Sequence, residues 1–142
     1  MDDVKAAPTV GIVGCLLVLL VLTIPYLLVA ESSAVGAYYG AGAITPLAGG
    51  LFALVGVIVF AAGREERSDP SLVAGAGLVF GLFIFLISAL WAVTVPASVP
   101  LQLGSLDGLA ATLMELHRWL LAVVALLVPV SAAWYARTLR LI

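Results

Sequence analysis

With 142 residues the chain can form one compact unit. At 64 % hydrophobic and 10 % charged residues it lies outside the range of ordinary soluble domains. Six basic and eight acidic side chains give a net charge of -2, with neither a basic run to hold nucleic acid nor an acidic tail. Cys15 is the single cysteine, which excludes an internal disulfide or a Cys-x-x-Cys redox pair and leaves it the role of a small buried hydrophobe.

The first charge-free stretch covers residues 9–29. As a helix it would reach about 31 Å, close to the roughly 30 Å of a bilayer's hydrocarbon core. Pro8 suits a first turn, Pro25 predicts a bend near the far end, and Tyr26 sits where an interfacial aromatic belongs. Lys5 and the run Leu28-Val29-Ala30 also allow a signal peptide, but the apolar run exceeds the usual core of about 7–15 residues.

The second stretch, 44–62, opens on Thr45-Pro46 and stops at the charged cluster Arg64-Glu65-Glu66-Arg67. Asp69-Pro70-Ser71 predicts a turn and cap before the third stretch, 72–95, which carries Trp91 near its distal end. Pro96 and Pro100 argue against regular helix beyond it. The fourth helix starts near Ser105 or Leu109, with a span at 112–136 bent by Pro129. Trp119 marks one headgroup level, and Trp134 with Tyr135 marks the other.

These runs lack the period-two alternation of a membrane barrel, and a chain this short cannot hide four all-round apolar helices from water. The sequence therefore predicts an all-α polytopic membrane protein, a four-transmembrane-helix bundle forming one membrane domain over 1–142, with the lipid bilayer as its first partner. Lys5, Arg64, Arg67, Arg137 and Arg140 would share one side with both termini, against Arg118 on the other. The positive-inside rule makes the first side cytoplasmic. The Ala/Val/Leu/Gly bias points to a prokaryotic inner or plasma membrane. The links at 30–43 and 96–111 are long and rich in small residues, and Thr23-Ile24-Pro25 is faintly echoed half a chain later by Thr94-Val95-Pro96.

Helix association in lipid relies on close packing, so the glycines are candidate contact points. Gly49 and Gly56 in the second span and Gly75, Gly77 and Gly81 in the third could meet each other or another chain; Gly11 and Gly14 accompany Cys15 in the first. Thr23, Ser88, Thr94 and Ser131 can return their hydroxyl bonds to the preceding turn.

No acidic, basic or histidine residue lies within the charge-free stretches, which argues against a proton- or cation-coupled pump of the small multidrug exporter type. The one compact polar group is Glu115, His117 and Arg118, near the outer end of the fourth span. Glu115 and Arg118 can pair at i,i+3, and His117 points elsewhere, so the expectation is an interfacial ion pair with a wetted histidine that could touch a headgroup or partner. No catalytic constellation, metal site or cofactor is predicted. A structural or accessory membrane protein, assembling with itself or a larger complex, is the reading the sequence favours. A small channel or transporter and an interfacial enzyme are the alternatives.

Overall fold

The charge-free runs all become helix, because backbone in lipid must satisfy its own N–H and C=O groups. The computed structural model describes residues 2–99 and 108–142. Its helices are α1 (Asp3–Leu28), α2 (Ser32–Gly40), α3 (Leu47–Arg64), α4 (Pro70–Thr94) and α5 (Gly108–Thr138). All but α2 are long and apolar enough to cross a membrane, so the protein is an all-α integral membrane protein with four spans. The part of the second long link at 100–107, including the alternative helix start at Ser105, lies outside the described residues.

The spans form a ring in which α1 packs on α3, α3 on α4, α4 on α5, and α5 back on α1. Ala7, Val73, Ala74, Tyr135 and Ala136 cluster at the end that holds both termini. This terminal end is finished by local chemistry. In α3, Arg67 N–H donates to Ala62 O at 2.8 Å and Glu66 N–H to Gly63 O at 3.2 Å, a Schellman closure with Glu66 in the left-handed region at φ 58°. The same closure ends α5, with Arg140 at φ 61°. Asp69 then caps α4, its carboxylate accepting from Ser71 N at 2.9 Å, with Pro70 in the first turn.

Phe60 is the pivot of the core. A Cβ on Gly11 of α1 would come within 2.6 Å of its ring, and one on Gly77 of α4 within 2.9 Å. Two of the candidate glycines meet helices other than the ones expected from the sequence. Gly56 faces Cys15 of α1, and Gly81 lies against the backbone of Pro129 in α5. Gly49 does face α4, at ordinary contact distance from Ile84 and Ser88. Gly75 meets nothing within 4 Å and is exposed.

Helix α2 was not legible as an element; its residues read as part of a link. It is too short to cross a membrane and buries Val35, Tyr38 and Tyr39 against the end of the bundle away from the termini. Tyr135, expected as an interfacial ring, is instead fully buried among the terminal-end contacts, whereas Trp119 is half exposed.

Candidate functional site

Proline organises the far end. A helical proline has no N–H to give the carbonyl four residues back. Pro25 therefore leaves Val21 O without its usual donor. His117 Nε2 lies 2.7 Å from that oxygen. A carbonyl can only accept, so Nε2 carries the hydrogen. In the neutral ring Nδ1 then accepts, and the Tyr38 hydroxyl donates to it at 3.0 Å. The next carbonyl, Leu22 O, accepts from the Tyr39 hydroxyl at 2.5 Å. Two adjacent carbonyls near the Pro25 end of α1 are thus capped by α5 and α2.

The echo of this motif behaves alike. Pro96 leaves Ala92 O open at the end of α4, and Arg118 Nη1 lies 3.4 Å from it. The same nitrogen donates to Val95 O at 2.7 Å, and Nη2 donates to Pro96 O at 3.2 Å. The guanidinium sits where the partial negative charge of a helix C-terminus favours a cation. Consecutive residues of α5 therefore serve the prolines of Thr23-Ile24-Pro25 and Thr94-Val95-Pro96. Thr94 ties the segment after α2 to α4, accepting from Ala43 N at 2.9 Å.

Aromatic rings fill the space between these bonds. Tyr38 meets Trp91 edge-on with centroids 5.1 Å apart, Tyr39 lies 5.5 Å from Trp91, and His117 lies 5.9 Å from Trp91. Burial pushes the Tyr38 and Tyr39 phenols above their ordinary pKa, with the Arg118 charge partly opposing this at Tyr38, so both remain neutral donors. Trp91 Nε1 and Ser88 Oγ, one turn apart on α4, are buried without a hydrogen-bond partner among the described residues.

These placements correct the wetted histidine and the interfacial ion pair. His117 is fully buried and Arg118 is 8 % exposed, whereas Glu115 is exposed. Among the described residues the one ion pair is Arg64–Glu65 at 2.6 Å, not Glu115–Arg118. The physical reason is that the open end of α4 offers Arg118 several fixed carbonyls inside the protein, while α2 folds over His117 and excludes water. Three polar side chains of the far end, Tyr38, Tyr39 and Thr94, carried no site assignment from the sequence. The spacing of Val35, Tyr38 and Tyr39 at i, i+3 and i+4 is the signal that marks the first two.

Thr23, Thr94 and Ser131 return their hydroxyls to Leu20 O, Leu90 O and Val128 O, each at 2.7 Å, as their positions in apolar helices predict. Among the described residues no group of three or more His, Cys, Asp and Glu side chains converges as a metal would require. Cys15 is buried against Gly56. No curated protein and no solved structure matches the chain. A family model does match residues 1–140, and the chain belongs to that family, the family of unknown function DUF7548.

Proposed function

We propose that this protein is a structural or accessory subunit of its membrane, assembling with a larger membrane complex or with itself. The observation that carries this reading is the commitment of His117. One ring nitrogen serves Val21 O and the other accepts from Tyr38, leaving no lone pair or proton free for a substrate. Arg118 is committed likewise to the end of α4. His117 and Arg118 are thus spent on holding helices together.

Two outward features fit an assembling role. Gly75 presents an open backbone on the lipid-facing side of α4, where a partner helix could approach closely. Glu115 places an exposed charge at the far rim for contact with a headgroup or a partner. The basic residues Lys5, Arg64, Arg67, Arg137 and Arg140 at the terminal end support a cytoplasmic placement of that end in a prokaryotic plasma membrane.

Extraction from native membranes in mild detergent tests the assignment. A stoichiometric companion protein or a homo-oligomer is expected by mass measurement of the purified particle. A monodisperse monomer without any companion would overturn it.

A further inference from the structure

Ser88 behaves unlike the other hydroxyls of the spans. Thr23, Thr94 and Ser131 return theirs to the preceding turn, whereas Ser88 Oγ has no partner among the described residues. Trp91 Nε1, one turn further along α4, has none either. The two residues are 1 % and 0 % exposed. Both groups face the segment that leads from α2 into α3. A Cβ on Gly49 would lie 3.7 Å from Ser88 Oγ, and one on Gly42 would lie 2.8 Å from Trp91 Cδ1, the ring atom bonded to Nε1. The bond from Ala43 N to Thr94 Oγ1, at 2.9 Å, lays this segment along α4.

The first turn of α3 brings a third open group to the same seam. Pro46 precedes the helix and has no side-chain acceptor to give it. Leu47 N–H donates to Thr45 Oγ1, Ala48 N–H to Thr45 O and Gly50 N–H to Pro46 O. Gly49 is buried, and its N–H reaches no acceptor among the described residues. On the acceptor side, the carbonyls of Gly42, Ala43 and Ile44 receive no backbone N–H among the described residues. Buried polar groups in folded proteins are paired, with protein or with ordered water. Non-helical backbone at membrane depth is likewise tolerated where it is buried in protein or lines water.

We propose that this seam binds one internal water molecule, held between Ser88, Trp91 and Gly49. An indole N–H and a backbone N–H can only donate, so the ligand accepts twice. It gives one hydrogen to Ser88 Oγ and the other to a carbonyl of residues 42–44. Two bonds in and two out are the full complement of a buried water. A small anion would satisfy the same donors but not the acceptors. It would also bring a charge to a seam whose nearest buried cation, Arg118, already serves the carbonyls of Ala92, Val95 and Pro96. The water fastens the first turn of α3 to α4, a tie that does not depend on the accessory role.

The test uses the full chain in detergent with Trp119→Phe and Trp134→Phe, which leaves Trp91 as the single indole. By NMR, the Trp91 Nε1–H proton should show a cross-relaxation peak to water, unchanged when chloride is replaced by gluconate. A serine hydroxyl can relay such a peak, so it must persist, weakened, in Ser88→Ala. Thermal unfolding gives an independent reading with the native tryptophans in place. In a dry seam Ser88→Ala removes an unpaired hydroxyl and raises the melting temperature. With the water bound it removes one of the water's partners, and a fall of about 2–4 °C is expected. Absence of the water peak, its loss in Ser88→Ala, a shift of the indole signal with chloride that marks an anion, or a higher melting temperature would each overturn the assignment. The melting comparison stands even if the double tryptophan variant fails to fold.

Discussion

His117 Nε2 stands 2.7 Å from the carbonyl oxygen of Val21, the atom that Pro25 deprives of a helical donor. Replacing His117 with Phe keeps an aromatic ring but leaves that buried carbonyl and the Tyr38 hydroxyl unpaired. We predict a loss of about 2 kcal/mol in stability, read from thermal unfolding in detergent. Pro25→Ala supplies a backbone N–H to Val21, so in a double-mutant cycle it should recover about 1 kcal/mol of that loss. Strict additivity of the two substitutions would refute the pairing.

Arg118 reaches several carbonyls at the end of α4 through two nitrogens, which a lysine ammonium cannot reproduce. Arg118→Met should cost about 2–3 kcal/mol, because hydrogen bonds from a charged group are the stronger kind. Arg118→Lys should fall between Met and the native residue. Equal melting temperatures for all three chains would show that these contacts carry no stability.

The glycines of α4 give a contrast within one helix. A Cβ on Gly81 would lie 2.7 Å from Pro129 N and 2.9 Å from Pro129 Cα, backbone atoms that cannot step aside. Gly81→Ala should therefore destabilise by about 1–3 kcal/mol or more through overpacking. Gly75 has open space, so Gly75→Ala should stabilise an isolated chain by roughly 0.5–1 kcal/mol through helix propensity. If Gly75 is a partner contact, the same substitution should reduce recovery of the companion in a pull-down while raising the melting temperature.

Glu66 occupies a left-handed conformation at φ 58°, which costs an ordinary residue about 1–2 kcal/mol and glycine almost nothing. Glu66→Gly should raise stability by about 1 kcal/mol net of its greater unfolded-state freedom. A lower melting temperature would mean that the carboxylate itself contributes to the link.

The Asp69 cap predicts a pH dependence at the terminal end. Hydrogen bonds from the Ser71 hydroxyl and N–H hold the carboxyl below its usual pKa. The folded state thus favours the ionised form, and the contribution is complete above the unfolded value of about 4. It fades as pH falls through the lower folded value. The difference in melting temperature between the native chain and Asp69→Ala should be constant above about pH 5 and should shrink at more acidic pH. A difference independent of pH would remove the carboxylate from the cap.

Much of the fold was open to reading along the chain. Uncharged runs of span length, the Asp69-Pro70-Ser71 start and the abrupt charged link all report local physics, and each appears in the structure as a helix or its boundary. Helix α2 stayed hidden because nine residues rich in Ser, Gly and Ala carry little intrinsic signal; only the packing of Val35, Tyr38 and Tyr39 makes them an element. The candidate polar group was found as residues but not as a geometry. Counting along α5 puts His117 and Arg118 at headgroup level, where water is expected, and what withdraws them is distant in sequence: α2 above, and the open carbonyls of α1 and α4 beside them. The repeated Thr-[Ile/Val]-Pro pattern was visible, but its meaning required knowing which atoms face the freed oxygens.

The donor that completes the first span comes from a residue 96 positions further along the chain. A nascent chain that has inserted α1, α3 and α4 but not α5 still carries an open carbonyl at Val21, and Tyr38 still lacks its acceptor. The far end therefore stays incomplete until α5 has joined the bundle, however well the earlier helices have paired.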